Sequence, residues 1–288
     1  MLYVQSDRPV DPIAVAVMHE IDAVATALRL AYFLIGAMAR DVLLGHGFGL
    51  NPGRATRDVD VAFALEGWEQ FQQLKNRPLM GGRFVAIRDV THRLLYSPGD
   101  SVQRCMVDLL PFGGVEQPAT TIAWPPDMQM SMRVAGYSDA LANAPLVQIE
   151  TGLTIRVASL PGLAMLKIFA WQDRGLEDSR DATDFVTLCR YYADAGNLER
   201  IYEEAIPVLQ SVGFDVELTG AWLLGKDAAA MASPQTRVQL ELMLSDTRAL
   251  EQLSNDMARA LRSREDAVTE AAQLLDQFKR GFFAPTEP

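Results

Sequence analysis

The sequence predicts an α/β (α+β) domain over residues 1–157, followed by an all-helical domain over residues 158–288. Three observations carry that reading. Short apolar runs with strand-like alternation recur through the first part, a hairpin pattern around Thr151-Gly152 closes it, and from Ser159 onward apolar positions recur at helical spacing almost to the end.

The elements follow in order. Residues 12–29 repeat apolar positions at helical spacing, Ala31 to Ile35 reads as a buried strand, and Met38 to Leu44 reads as a helix leaving Gly36. A loop follows over 45–55, with glycines at 45, 47, 49 and 53 and Pro52. It reads either as a flap or as a surface excursion. Asp58-Val59-Asp60-Val61-Ala62-Phe63 is a short strand, and an amphipathic helix runs near Trp68 to Lys75. Strands are expected near 83–88, 92–96 and 103–111, and Leu146 to Ile149 with Leu153 to Val157 form the hairpin. In the helical part Ser233-Pro234 marks a start, serine as N-cap and proline in the first turn; long amphipathic helices are expected over 234–262 and 265–282.

A chain of 288 residues that is 49% hydrophobic can bury a large core. A formal charge of −11 argues against broad electrostatic binding to nucleic acid or to an anionic membrane. Arg83, Arg88, Arg93 and Arg104, with His92, either line a local groove or sit on solvated strand faces. Cys105 and Cys189 each lie in an apolar run, which suits buried free thiols in a reducing compartment. Residues 1–7 lack the basic start of a signal peptide, and Asp22 and Arg29 interrupt the apolar stretch 21–39, so a cytoplasmic, membrane-free protein is expected.

The chemistry concentrates on three aspartates. Alternation along a strand puts Asp58 and Asp60 on one face and Val59, Val61 and Phe63 on the other. Two like charges that close raise each other's pKa unless a cation lies between them, and hard oxygen ligands suit Mg²⁺ or Mn²⁺. Asp108 interrupts the strand Cys105 to Leu110 with Met106 and Leu110 as same-face neighbours, so it needs a partner. With Asp58 and Asp60 it would complete a cage for two divalent ions roughly 3.5–4 Å apart. Gly36, at the mouth of a helix, lets phosphate oxygens approach backbone N–H groups that have no intrahelical partner. Arg40, one turn in, either adds a forked donor to those phosphates or pairs with Asp41. In the helical domain Lys167 lies in a helix apolar on nearly every side, and Asp181 and Asp184 fall on an inward stripe of the next. Lys167 either meets a nucleotide's phosphates or forms an interior pair with Asp181 or Asp184, while Arg180 to Asp184 reads as a surface bridge. His19, His46 and His92 have no metal-ligand spacing.

Four blocks in order, Ile35 to Asp41, Thr56 to Val61, Val107 to Gly113, and Leu166-Lys167 through Asp181 and Asp184, resemble the AbiEii-type nucleotidyltransferases. These are DNA polymerase β-like relatives found among abortive-infection and toxin–antitoxin proteins. The resemblance runs from about residue 30 to 195. It implies a nucleotidyltransferase-type mixed sheet with a helical partner domain, NTP as substrate with Mg²⁺ (or Mn²⁺), and transfer of a nucleotide to an acceptor, an RNA such as tRNA or a protein. A cognate antitoxin would neutralise such an enzyme. Residue by residue it implies Asp58, Asp60 and Asp108 as metal-binding catalytic groups and Gly36, Ala37, Arg40 and Lys167 as triphosphate contacts. Two departures stand out: Gly36-Ala37 replaces the usual Gly-Gly or Gly-Ser, and the interval from Gly36 to Asp58 is longer than usual. Competing expectations are a non-catalytic NTP-binding regulator of the same fold and a two-metal nuclease.

Overall fold

A computed structural model describes residues 1–53, 56–88, 90–99, 103–118, 120–175, 178–261 and 266–285. The chain divides into two compact units, one of Met1–Gly49 with Gly53–Ala158 and one of Leu50–Pro52 with Ser159–Pro288.

The first unit opens with β1 (Leu2–Tyr3) and α1 (Pro12–Leu28). Asp11 caps α1 by accepting from the Ile13 N–H at 2.8 Å, Pro12 opens its first turn, and Arg29 ends it in a left-handed conformation. Its face of Ala14, Val17, Met18, Ile21 and Ala25 is buried, as the 3.6-residue spacing requires. Then come β2 (Ala31–Ile35), α2 (Gly36–Asp41) and β3 (Val59–Leu65). Between α2 and β3 the helix does not stop at Leu44: it widens into a π-type turn over Val42–Gly47, so Gly45 and Gly47 are helical and the expected loop begins later. Residues 54 and 55 of that loop lie outside the described residues.

The helix α3 (Trp68–Met80) outruns the predicted Trp68 to Lys75, and is followed by β4 (Phe84–Ala86), β5 (Arg93–Tyr96) and β6 (Cys105–Gly113). These build a five-stranded sheet in the order β2-β3-β6-β5-β4, mixed because β3 and β6 pair parallel while the other neighbours are antiparallel. Two elements had no clear signal in the sequence. One is the hairpin β7 (Thr121–Ala123) with β8 (Ser131–Arg133), the other the short helix α4 (Tyr137–Ala142). The predicted hairpin is β9 (Leu146–Glu150) with β10 (Leu153–Arg156), and β1 joins it as a parallel edge strand.

The second unit is helical: α5 (Leu160–Arg174), α6 (Arg180–Tyr191), α7 (Leu198–Glu204), α8 (Ile206–Ser211), α9 (Val216–Met231), α10 (Pro234–Ser245), α11 (Thr247–Ala260) and α12 (Ala267–Phe282). Ser159 and Ser233 cap α5 and α10, each with proline in the first turn. The single helix expected over 234–262 is two, because the Asp246 carboxylate takes the N–H groups of Arg248 and Ala249 and starts a new helix. Residues 262–265, at the end of that prediction and the start of the next, lie outside the described residues. Close backbone contact welds α9 to α12, where Gly225 and Gly281 leave no room for a Cβ against the opposite main chain. Among the described residues no helix is long and apolar enough to cross a membrane.

Candidate active site

One row across the sheet brings the site together. Ile35 is the register partner of Asp60, Asp60 of Asp108, and Asp108 of Arg93, so four adjacent strands present neighbouring positions in line. The burial pattern explains why this face can carry charge. In β6, Cys105, Val107 and Leu109 are buried while Met106, Asp108 and Leu110 are half-buried. In β3, Val59, Val61 and Phe63 are almost wholly enclosed and Asp60 is half-buried. The apolar face is sealed in the core, and the opposite face remains available for polar groups.

At one end of the row the chain turns from β2 into α2 at Gly36, whose φ of +71° lies in the left-handed region that glycine tolerates. A Cβ there would sit 2.1 Å from Asp60 Oδ2, so the Asp60 carboxylate lies directly against the Gly36 main chain. Ala37, next in α2, is half-buried beside it. The helix start leaves backbone N–H groups without intrahelical partners at the place where the carboxylate row begins.

Asp108 has a protein partner of the kind its setting demands. The Arg93 guanidinium grips it in a fork, Nε to Oδ1 at 2.7 Å and Nη2 to Oδ2 at 2.6 Å. That hydrogen bonding, opposed by burial and supported by the charges of Asp108, Asp58 and Asp60, pushes Arg93 above its usual range. Arg93 therefore feels the charges of all three aspartates. Among the described residues no group of three histidine, cysteine, aspartate or glutamate side chains stands together at metal-holding spacing. Sequence reasoning named Arg93 only as one of an arginine cluster. The cluster itself is not one surface, since Arg83 pairs with Glu20 of α1 while Arg93 turns to Asp108.

Asp58 stands just before β3, exposed, rather than inside the strand. Its N–H donates to Thr56 Oγ1 at 3.2 Å, and the Thr56 N–H donates to Asp41 Oδ2 at 2.9 Å. Asp41 in turn accepts from Arg40 at 2.9 and 2.6 Å, and both side chains are buried. Of the two readings of Arg40, the structure shows the ion pair. Its guanidinium turns to Asp41 instead of solvent, and through Thr56 the pair fixes the approach to Asp58.

Lys167 belongs to the second unit. Its ammonium lies 3.0 Å from Asp181 Oδ1 and 2.5 Å from Asp184 Oδ2, and Arg174 adds a fork to Asp181 at 2.7 and 3.1 Å. Burial opposes its charge, but Asp184 and Asp181 outweigh it and hold Lys167 above its usual range. The interior pair is thus what the structure holds at Lys167. The expected Arg180–Asp184 bridge is absent because Arg180 pairs with Asp178 at 2.5 Å and Asp184 faces inward. Both cysteines are buried free thiols; burial, then the charges of Asp58 and Asp11, pushes Cys105 up to about 12.

A mixed sheet with a carboxylate row beginning at a glycine turn, joined to a helical unit, is a nucleotidyltransferase-type architecture. Residues 23–277 match the family described as nucleotidyl transferase AbiEii toxin, type IV TA system, and the chain belongs to that family. Nucleotidyl transfer is that family's chemistry. No curated protein sequence matches the chain. Among solved structures, the solution structure of the antibiotic-resistance factor ANT(2'')-Ia is 17% identical, covers 71% of this chain and 98% of its own, and has a TM-score of 0.36. An antigenic nucleotidyltransferase-like protein from Paracoccidioides brasiliensis is 17% identical over 72% of this chain and 93% of its own, with a TM-score of 0.40. A CCA-adding enzyme with ATP covers 96% of this chain and 80% of its own at 12% identity and a TM-score of 0.24. At such scores these likenesses carry no weight, and the family match alone places the chain.

Proposed function

We propose that the protein is a divalent-metal-dependent nucleotidyltransferase that moves NMP from an NTP to an acceptor hydroxyl, on an RNA such as tRNA or on a protein. It would act in the cytoplasm as the toxin of a toxin–antitoxin pair, with a cognate antitoxin as partner. The row Gly36, Asp60, Asp108 supports the reading: the main chain at a helix start lies against the Asp60 carboxylate, and Asp60 is the register partner of Asp108. The Gly36–Ala37 main chain would bind the triphosphate, and Asp58, Asp60 and Asp108 would hold Mg²⁺ or Mn²⁺. Carboxylate oxygens are the donors a hard ion takes, but Asp108 is held by the Arg93 fork, so a metal there would require Arg93 to release it. When bound, the metal would neutralise phosphate charge and lower the pKa of the attacking hydroxyl. The chain's own residues contribute mainly by positioning: Asp60 is seated by the Gly36 turn, and Asp58 by the relay from Arg40 through Asp41 and Thr56.

The test is incubation of the purified protein with each α-³²P-labelled NTP, Mg²⁺ and total bacterial RNA. Label on RNA, lost in the Asp58→Ala/Asp60→Ala double variant, is the expected result. Asp60→Asn alone should lower turnover on the order of 10²-fold or more, because electrostatic stabilisation is lost where charge develops. Near-normal turnover in Asp60→Asn would reject this mechanism, and label on protein would name a protein acceptor.

The Arg93–Asp108 fork favours one second reading, a non-catalytic NTP-binding regulator in which a protein cation has taken the metal's place. Arg93→Ala separates the two. If Arg93 competes with metal at Asp108, the variant binds Mn²⁺ about tenfold more tightly, a difference of about 1.4 kcal/mol, measured by electron paramagnetic resonance of free Mn²⁺. A parent that binds Mn²⁺ and transfers label supports the enzyme; a parent that does neither, with Mn²⁺ binding gained only in Arg93→Ala, supports the regulator, and negligible binding in both proteins rejects the carboxylates as a metal site.

A further inference from the structure

Beyond the far end of the carboxylate row the first unit opens into a cleft of about 940 Å³, lined among others by Lys75, Thr91, His92, Arg93, Trp124 and Asp127. Arg93 is common to both places: it lines the cleft and holds Asp108. The sheet order puts the Gly36 turn beside β2 and the cleft beside β5, with Asp60 and Asp108 between them. In-line displacement needs the attacking oxygen and the leaving pyrophosphate on opposite sides of the reacting phosphorus. If the triphosphate lies at Gly36, the acceptor must approach from the β5 side.

The chemistry of the lining says what kind of acceptor fits. Lys75 is half-buried, burial holds its ammonium below the usual range, and no ion pair to it is present among the described residues. A desolvated cation in a cleft calls for an anion. Arg93 also lines the cleft but is committed to Asp108, so Lys75 is the cation left to meet an anion, against one carboxylate, Asp127, among the described lining residues. His92 supplies a flat surface. Its ring packs 4.9 Å from that of Trp124, which is enclosed by Trp68 and Phe71 with centroids at 5.6 Å each. Burial, opposed by Asp108 and reinforced by Arg93 and Lys75, pushes the His92 imidazole below its usual range. A flat, packed ring surface beside a phosphate-seeking cation suits an unstacked nucleobase next to its phosphate, and a protein hydroxyl would leave both unused.

We propose that this cleft is the acceptor subsite, that it takes the end of a single RNA strand, and that Lys75 binds an acceptor phosphate while His92, backed by Trp124, supports a base. The proposal rests on the nucleotidyltransferase reading above and extends it to residues outside the carboxylate row.

The experiment uses the full chain and a fluorescein-labelled 12-nucleotide single-stranded RNA with a free 3′ hydroxyl, its Kd read by anisotropy across a salt series, with binding of labelled NTP measured in parallel. Lys75→Gln should weaken RNA binding about tenfold and reduce the salt slope by about 0.7, the loss of one phosphate contact on a single strand. Lys75→Arg should restore both, and NTP binding should be unchanged in each. A control, Lys279→Gln in the helical unit, should match the parent. RNA binding and salt slope in Lys75→Gln equal to the parent's would overturn the subsite, as would parent protein that binds NTP and transfers label to protein but holds no RNA. Loss of NTP binding in the parent itself would instead remove the reading on which the proposal rests.

Discussion

Gly36→Val is expected to abolish nucleotidyl transfer, and Gly36→Ala to lower it on the order of 10²-fold. The reason is space before it is backbone strain. A Cβ at Gly36 would be 2.1 Å from Asp60 Oδ2 and 2.9 Å from its Cγ, so the carboxylate must leave its seat for any side chain to fit. A shift of about 1 Å in a positioned group is enough to lose about 10²-fold in rate. The φ of +71° adds a separate cost to stability, about 1–2 kcal/mol for alanine and more for a β-branched residue. Gly152 separates the two effects. It too has a positive φ, +91°, but nothing lies within 4 Å of the position its Cβ would take. Gly152→Ala should therefore lower the midpoint of urea unfolding as Gly36→Ala does, yet leave transfer intact. Normal transfer by a folded Gly36→Ala protein would show that Asp60 has no part in the chemistry.

The same residues show what was legible in the sequence. β2, β3 and β6 could be read because each is an apolar run whose alternation seals one face, and an aspartate inside such a run stands out. The need for a partner at Asp108 could be read for the same reason. Which partner could not, because Arg93 meets Asp108 only through the antiparallel register of β5 on β6, and register across strands is not written in either strand alone. The π-type widening at Val42–Gly47 was hidden by its glycines, which read as loop signals. The break at Asp246 was readable, since an aspartate ahead of a helical run is a capping signal, but the apolar periodicity on both sides concealed it. Buried Arg40 was ambiguous locally; the structure shows its guanidinium hydrogen-bonded to Asp41, which the long-range hydrogen bond from Thr56 also holds.

Lys167→Met is the substitution with the largest expected effect on stability, a loss of about 3–5 kcal/mol at pH 7, the range seen when one partner of a buried ion pair is removed. Lys167 and Asp184 are both buried, and Arg174 still forks onto Asp181 after the change, so Asp184 is the group left with less compensation. The pH dependence follows from the shifts. Burial would raise the Asp181 carboxyl, but Lys167 and then Arg174 outweigh it and hold it below its usual range. A carboxyl depressed in the folded state contributes stability present above its unfolded pKa and lost as pH falls through the folded one. Without the lysine, burial opposes the Asp181 charge with only Arg174 to offset it, and protonation relieves that cost. The gap between parent and Lys167→Met in urea unfolding should therefore be widest near pH 7 and narrow toward pH 4. Lys167 itself is raised, so its contribution is present below about pH 10.5 and fades only above it. The paired change Lys167→Met/Asp184→Leu should regain much of the loss, since removing both members leaves no bare charge. A single variant as stable as the parent at pH 7, or a gap that widens in acid, would mean that the Lys167 pair does not hold this helix junction.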